Sequence, residues 1–472
     1  MRTKLIRWVR PAVAVFLPLL IWILPVSIWP FPVTIIEHRV IALFVFAALF
    51  WILEPIPIYA TSMLIIVLEL VLISDSSFIA LRSDDPQYGT PMSHRDIMGT
   101  LASPVIMLFL GGFFLAVAAT KYRLDQSMAA FLLPKFGKKP RWVLLGLMTI
   151  TAFFSMFMSN TATTAMMLSM LMPVLTIFQK DDPARVAFVV AIPVAANIGG
   201  MGTPIGTPPN AIALKFMTDM QISFGEWMAF GIPTVVILTL VGWYAVNFFW
   251  PIRAQRIDLK METRFMRSPK AYIVYATFMI TILLWIFDFL HGMNAYVVAL
   301  LPVGVFLGAG IINKEDLKLI SWDVLWLVAG GIALGLALEK TGLAVNLIRH
   351  IPFQNFPPVL VLVSAAGIGL FMANFMSNTA TANLVLPLVA ALGTTVSGLE
   401  AVGGSSLIIL TTTLSISLAM SLPISTPPNA LAHATGAVQT RDLVKIGLLM
   451  GAVGFLYMLL LNFVLRSTQV LV

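Results

Sequence analysis

The sequence predicts an all-α polytopic membrane protein, and three observations support this fold class. Of the 472 residues, 59% are hydrophobic and only 11% are charged, whereas a soluble domain carries roughly 25% charged residues. The apolar residues form long unbroken stretches along the whole chain, which excludes a soluble enzyme and a protein with a single membrane anchor. These stretches also lack the alternating segments of about ten residues that are typical of a transmembrane β-barrel.

Eleven transmembrane spans are predicted between the charged clusters, because about 20 apolar residues cross a hydrocarbon core of about 30 Å. Two further apolar stretches, 142–178 and 357–393, are too long for one span, and Ser-Asn-Thr interrupts each near its middle. A polar centre is typical of two short helices that enter and leave on one side, so we expect two re-entrant hairpins. The eleven spans are 12–30, 39–56, 59–75, 101–120, 187–215, 227–250, 271–290, 293–312, 322–338, 405–434 and 444–465.

The basic residues predict the sidedness of the chain, because Lys and Arg concentrate in cytoplasmic loops. With the N-terminus in the cytoplasm and the C-terminus outside, 22 of the 29 Lys and Arg residues lie on inside segments and 7 lie outside. The net charge of +8 therefore indicates orientation in the cell (inner) membrane, and no nucleic-acid partner is needed to explain it. The inside segments are 1–11, 121–141, 179–186, 251–270, 313–321 and 435–445.

Two different motifs recur at nearly one spacing, which indicates an internal duplication. Ser-Asn-Thr occurs at 159–161 and again at 377–379, and Thr-Pro-Pro-Asn occurs at 207–210 and again at 426–429. The offset between the two copies is the same for both motifs to within a single position. The predicted spans between the hairpins are odd in number, which places the hairpins on opposite faces of the membrane. Inverted halves of this kind are typical of alternating-access transporters.

The duplication divides the chain into four predicted segments. Scaffold helices occupy 1–141 and 251–356, and the two transport halves, each a hairpin followed by a broken helix, occupy 142–250 and 357–472.

A membrane enzyme is disfavoured, because the chain has no cysteine, no His-Glu-x-x-His motif and no paired intramembrane carboxylates. A channel is equally disfavoured by the two inverted hairpins.

The Thr-Pro-Pro-Asn segments predict broken helices, since consecutive prolines forbid a continuous helix through Pro208-Pro209 and Pro427-Pro428. Freed carbonyl oxygens suit a small hard cation such as sodium, and half-helix N-termini suit anionic oxygens. No Asp, Glu, Lys or Arg occurs in the segments 142–178, 187–214, 357–393 and 405–434, and His433 is their only ionisable side chain. A dianion bound there needs positive charge from elsewhere, and co-bound sodium would supply it, which favours symport.

At these motifs the chain resembles the divalent anion/sodium symporter family of di- and tricarboxylate transporters. The resemblance rests on the two Ser-Asn-Thr tips and the two Thr-Pro-Pro-Asn loops, and it covers nearly the whole chain. It implies an elevator-type homodimer that moves a small dicarboxylate together with sodium ions and has no organic cofactor. It implies sodium ligands at Ser155, Ser159, Asn160, Gly206, Ser377, Asn378 and Ser425, and substrate contacts at Asn160, Thr161, Thr207, Pro208, Asn378, Thr379, Thr426 and Pro427.

One position departs from the family pattern. The offset between the two Ser-Asn-Thr motifs pairs Ser155 with Ala373, which has no side-chain oxygen for a second sodium ion. The first hypothesis for the function is sodium-coupled symport of C4-dicarboxylates such as succinate, malate or fumarate. Two alternatives stay open: sodium-independent exchange of dicarboxylates, and symport of another divalent anion such as citrate or sulfate. The segment 76–100 is predicted to be an exposed loop on the outside, and no role is assigned to it.

Overall fold

The computed structural model describes residues 2–85, 87–176, 178–179, 182–217, 220, 222–254, 256–257, 265–350 and 356–468. Its regular structure is helical throughout this part of the chain, apart from one isolated bridge between Ser74 and Met92. The predicted all-α fold class is therefore confirmed. Within the predicted inside segments, residues 1, 180–181, 255 and 258–264 lie outside the described residues.

The helices fall into two sets that follow the duplication. The first set is α1 (Arg2–Ile23), α2 (Ile35–Leu53), α3 (Ile58–Leu72), α4 (His94–Gly99), α5 (Pro104–Lys121), α6 (Leu124–Leu132), α7 (Pro140–Ser155), α8 (Asn160–Leu175), α9 (Pro183–Gly199), α10 (Pro208–Phe216) and α11 (Phe224–Phe249). The second set is α12 (Pro269–Ile286), α13 (Asp288–His291), α14 (Ala295–Gly308), α15 (Trp322–Lys340), α16 (Leu343–His350), α17 (Pro358–Ala373), α18 (Asn378–Thr395), α19 (Gly404–Ser417), α20 (Pro427–Ala434) and α21 (Thr440–Thr468).

Seven helical segments of the described chain are long and apolar enough to cross a membrane. They are α2, α4–α5, α9 with the turn after it, α11, α12, α15 and α21. Shorter apolar helices occupy the other four predicted spans, in α1, α3, α14 and α19. The 15 residues of α3 extend about 22 Å at 1.5 Å per residue, which is less than a hydrocarbon core of about 30 Å. The number of eleven spans therefore stays a prediction.

The two long apolar stretches fold as helical hairpins at the predicted interruptions. A turn at 156–159 separates α7 from α8, and a turn at 374–377 separates α17 from α18. The serine of each Ser-Asn-Thr motif caps the returning helix, because Ser159 Oγ accepts from Ala162 N and Ser377 Oγ accepts from Ala380 N, both at 3.2 Å. A hydroxyl oxygen at this place satisfies a backbone donor that the first helical turn leaves free.

Both helices that follow the hairpins are interrupted where the prolines predicted. The first α-helix stops at Gly199, continues as a short 3-10 turn over Gly200–Gly202, and resumes as α-helix at Pro208, while the second stops at Ser417 and resumes at Pro427. Each resuming helix begins with its two prolines. Proline is favoured at this place because its missing N–H has no helical partner there and its φ is already helical.

The two short helices that precede the hairpins were not predicted, and neither was the six-residue α4 in the loop 76–100. The nine-residue α6 and the eight-residue α16 each precede a hairpin, in segments that the charge clusters marked only as loops. Helices this short are marginal in isolation and depend on tertiary packing, so periodicity alone does not identify them. Here α6 packs on α5 and α7, and α16 packs on α15 and α18.

Tertiary contacts join the predicted segments in pairs. Helices α3 and α5 of the predicted scaffold pack along α15 and α14, respectively, so the segments 1–141 and 251–356 contact each other. Each hairpin packs on the broken helix of its own half, α7 on α9 and α17 on α19, and α8 also contacts α20 of the other half. The motifs of the two halves are thereby brought together.

A buried carboxyl group lies in α3, outside the hairpins and the broken helices. In those motif segments His433 was the only ionisable side chain. Glu69, in α3, is 0% exposed, and neither carboxyl oxygen has a hydrogen-bond partner among the described residues. His433 is instead exposed near the end of α20, with Nε2 3.3 Å from Thr440 Oγ1. The sequence interpretation considered only the motif segments and therefore missed Glu69.

Candidate anion and cation site

A cavity of about 360 Å³ lies where the two halves meet. All predicted ligand residues except Ser155 line this cavity, although the two motif sets lie in different halves of the chain. Ser155 lies behind the lining and is fully buried. The position of the lining residues around one cavity fits the predicted site, while their role as ligands stays a prediction. The predicted residues in the lining are Ser159, Asn160, Thr161, Gly206, Thr207, Pro208, Ser377, Asn378, Thr379, Ser425, Thr426 and Pro427.

Four helix N-termini converge on this cavity. The first residues of α8, α10, α18 and α20 are Asn160, Pro208, Asn378 and Pro427, and all four line it. All four N-termini present the positive end of a helix dipole, which favours an anion. Free backbone N–H groups are available at the starts of α8 and α18, whereas α10 and α20 each begin with two prolines that have none. Among the described residues of the lining, none is Lys or Arg, and Asp323 is the one charged side chain. Positive potential for an anion therefore comes from the backbone.

In the first half, several oxygen atoms gather around Asn160. Ser155 Oγ lies 2.6 Å from Asn160 Oδ1 and 2.7 Å from the Ala196 carbonyl oxygen. A hydroxyl carries one proton, so Ser155 donates to only one of these two oxygens at a time. The cluster is thus richer in oxygen lone pairs than in protons, which is the environment that a hard cation requires.

Two glycines leave room for this oxygen cluster. A Cβ atom at Gly200 would lie 2.7 Å from Asn160 Oδ1 and 3.1 Å from the Gly206 carbonyl oxygen, and a Cβ atom at Gly206 would lie 2.5 Å from the Gly200 carbonyl oxygen. Any side chain at either position would collide with the oxygens. The oxygen atoms of Ser155, Asn160 and the Gly206 carbonyl therefore fit the predicted sodium site.

The second half lacks one of these oxygens. Ala373 is buried and presents only a methyl group where the first half has Ser155. Asn378 Oδ1 is nevertheless buried and has no hydrogen-bond partner among the described residues. An unsatisfied buried oxygen is costly, and a cation or a water molecule would satisfy it. The second cluster is thus similar to the first but has one ligand fewer.

The loop of the second half is tied to its hairpin by Asn374, which sequence reasoning did not single out. Asn374 Oδ1 accepts from Ser421 N at 3.0 Å, and the Asn374 carbonyl accepts from Ser425 Oγ at 2.9 Å. In the first half, Thr203 Oγ1 donates to the Met156 carbonyl in the same way. Each hairpin end therefore positions the loop that carries the Thr-Pro-Pro-Asn motif.

The asparagines of the two Thr-Pro-Pro-Asn motifs hold these loops from the inside. Asn210 Nδ2 donates to the carbonyls of Gly200 and Thr203, at 3.0 and 2.8 Å. Asn429 Nδ2 donates to the carbonyls of Met420 and Leu422, at 2.7 and 3.1 Å. The N–H groups of both amides are thus occupied by loop carbonyls.

One wall of the cavity comes from the predicted scaffold segments, and no sequence motif indicated its residues. These residues belong to α3, α5 and α15 and are mostly apolar, so they are indistinguishable from other membrane-helix residues in the sequence. The sequence identified the polar interruptions and missed the apolar wall that faces them. The wall consists of Ile58, Tyr59, Phe109, Phe113, Asp323, Val324 and Leu327.

The apolar helices and the duplicated pairs of hairpin and broken helix define a multi-pass membrane protein of the secondary-transporter class. The chain belongs to the citrate transporter family CitMHS, whose sequence model matches residues 48–405. It is 29% identical over 448 residues to the sodium-dependent dicarboxylate transporter SdcS of Staphylococcus saprophyticus, which covers 86% of this chain and 82% of the relative. The resemblance to the divalent anion/sodium symporter family is confirmed.

Relatives with other names are similar to the same extent. The inorganic phosphate transporter PHO87 of Saccharomyces cerevisiae is 30% identical over 404 residues, which cover 84% of this chain. The chain spans 43% of that relative's length and 49% of an uncharacterized transporter of Schizosaccharomyces pombe. Among solved structures, the YdaH transporter of Alcanivorax borkumensis shares the fold, with a TM-score of 0.55, 13% identity, and coverage of 90% of this chain and 98% of that one.

Proposed function

We propose that this protein is a sodium-coupled symporter for C4-dicarboxylates such as succinate, malate or fumarate. The convergence of four helix N-termini on a cavity whose described lining holds no Lys or Arg carries the proposal. Such a cavity attracts the carboxylates of a dianion but supplies only partial positive charges. Sodium ions bound beside the substrate complete the neutralisation, which couples uptake of the anion to the sodium gradient.

In this proposal the two halves bind the substrate from both sides. One carboxylate contacts Asn160, Thr161 and the Thr207-Pro208 turn, and the other contacts the equivalent group of the second half. That group is Asn378, Thr379 and the Thr426-Pro427 turn. One sodium ion binds at Ser155, Ser159, Asn160 and the Gly206 carbonyl, and a second, weaker one binds at Ser377, Asn378 and the Ser425 carbonyl.

We further propose that the transport halves 142–250 and 357–472 move as one unit against the scaffold segments 1–141 and 251–356, in a homodimer in the cell membrane. The contacts of each hairpin with its own broken helix, and of α8 with α20, support one moving unit. The contacts of α3 with α15 and of α5 with α14 support one scaffold. An elevator movement of this kind carries the site across the membrane without opening both sides at once.

A second candidate function is sodium-independent exchange of one dicarboxylate for another. Ala373 favours it, because the second cation cluster lacks a hydroxyl oxygen. The complete oxygen cluster around Asn160 favours symport instead. Citrate, sulfate and inorganic phosphate are the alternative anions, citrate and phosphate being named by the family and by one relative.

Uptake by proteoliposomes separates these functions. Labelled succinate should enter empty vesicles when sodium is supplied outside and should fail to accumulate when potassium replaces it. Uptake that ignores sodium and requires dicarboxylate inside the vesicles would establish exchange and refute symport. The variants N160A and N378A should abolish uptake. The control N247A, whose amide donates to the Trp243 carbonyl within α11, should retain it.

A further inference from the structure

One polar side chain in the cavity lining crosses between the two halves and belongs to neither motif. Asn197 lies near the end of α9, is 2% exposed and lines the cavity. Its Nδ2 atom lies 3.2 Å from Oγ1 of Thr426 and 3.5 Å from Oδ1 of Asn429, both in the second half. A side chain of the first half therefore contacts the anion-binding turn of the second.

This contact has no counterpart among the described residues of the other half. The offsets of the two motifs pair Asn197 with Ser415 or with Ile416. Ile416 cannot form a side-chain hydrogen bond, and Ser415 Oγ has no hydrogen-bond partner among the described residues. Thr207, the counterpart of Thr426, makes no side-chain cap to its helix, whereas Thr426 accepts from the Asn429 backbone. The two turns are thus equivalent in sequence but differ in how their hydroxyl groups are held.

The two hydrogen bonds that Thr426 Oγ1 accepts determine whether its hydroxyl can donate or accept in the cavity. A hydroxyl group has two acceptor positions and one proton. Thr426 Oγ1 accepts from Asn197 Nδ2 at 3.2 Å and from Asn429 N at 3.4 Å, which occupies both acceptor positions. The proton is left to donate, and Thr426 lines the cavity. A hydroxyl held in this way is matched to a carboxylate or another anionic oxygen, which only accepts.

We propose that Asn197 is a positioning residue that fixes Thr426 as a hydrogen-bond donor to the transported anion. The inference rests on the proposed function, because it assumes that this cavity binds the anion. In this proposal Asn197 acts through Thr426. The partners of its amide are Thr426 and Asn429, and neither is a proposed sodium ligand. Loss of Asn197 should therefore weaken anion binding and leave the sodium requirement unchanged.

The variant N197L tests the proposal, since leucine keeps the branching of the side chain at Cγ and removes its donor. The KM for succinate should rise about threefold to tenfold, the effect expected for one hydrogen bond. The maximal rate and the sodium concentration at half-maximal uptake should stay within about twofold of the wild type. N197A serves as the second variant if N197L yields no folded protein, and the same rise in KM is expected.

A double-mutant cycle with T426V distinguishes positioning from general packing. If Asn197 acts through the hydroxyl, N197L should add nothing to the KM of the T426V protein. The control is N462L, because Asn462 is 4% exposed and its Nδ2 donates to Thr411 Oγ1 at 3.1 Å, outside the cavity lining. N462L should leave the KM unchanged even where it lowers the melting temperature.

The outcomes separate the inference from the proposed function. An unchanged KM in N197L, or additive effects of N197L and T426V, would overturn the role of Asn197 while succinate uptake by the wild type still supports the function. Wild-type protein that takes up neither succinate, citrate nor inorganic phosphate would overturn both. A rise in KM confined to N197L, N197A and T426V supports the positioning role.

Discussion

Ala373 is the residue at which the two cation clusters differ. Its methyl group is buried in the place where the other half presents the Ser155 hydroxyl near Asn160. The proposed second sodium ion therefore has fewer oxygen ligands and should bind more weakly. One missing ligand oxygen is a small change in the sequence, but it bears directly on how strongly transport depends on sodium.

We expect A373S to lower the sodium concentration at half-maximal succinate uptake about threefold or more, because a serine hydroxyl adds one ligand of modest strength. A sodium titration of initial uptake rates measures this change. The matched control is A365S, on the same helix α17 but in an apolar groove away from the cavity, and it should not alter the sodium dependence. An unchanged sodium titration in A373S would argue against a cation at this place.

At the scale of helices, the contact of α15 with α18 joins the proposed scaffold to the second transport half. Asn383 Nδ2 in α18 donates to the Leu327 carbonyl in α15 at 3.1 Å. The two helices approach so closely that a Cβ atom at Gly331 would lie 1.7 Å from Asn383 Oδ1. Small residues at such places let membrane helices pack closely.

The variant G331A should push these two helices apart. Overpacking a close contact costs about 1–3 kcal/mol, so we expect a lower melting temperature and a lower maximal rate of uptake. The control is G304A in α14, where an added Cβ atom would have no atom within 4 Å. Equal melting temperatures and rates for G331A and the wild type would show that this contact is not tight in the membrane.

At the scale of the whole molecule, the predicted sidedness can be measured directly. The chain contains no cysteine, so the wild type is already a background for single-cysteine labelling. Ser83 and Lys314 are both exposed and lie on predicted outside and inside segments, respectively. In intact cells, a membrane-impermeant maleimide should label S83C at once and K314C only after permeabilisation. The opposite pattern would invert the proposed topology.

Local features of the fold followed from contiguous residues. Proline pairs at Pro208 and Pro427 start helices because of their restricted φ, and Ser377 caps α18 because its hydroxyl accepts a free backbone N–H. These effects act within a few residues, so the sequence alone predicted both hairpins and both broken helices. It also predicted the repeat and, through the motifs, the family.

The rest depended on packing between distant parts of the chain. Asn197 and Thr426 lie in different halves of the chain, and no local pattern indicates that their side chains meet. The same holds for the burial of Glu69 and for the apolar wall that Tyr59 and Phe113 contribute to the cavity. The sequence by itself determined the class of protein, the duplicated elements and most of the candidate ligands. Only the tertiary structure decided that four helix N-termini meet at one cavity, because such convergence depends on how whole helices pack against one another.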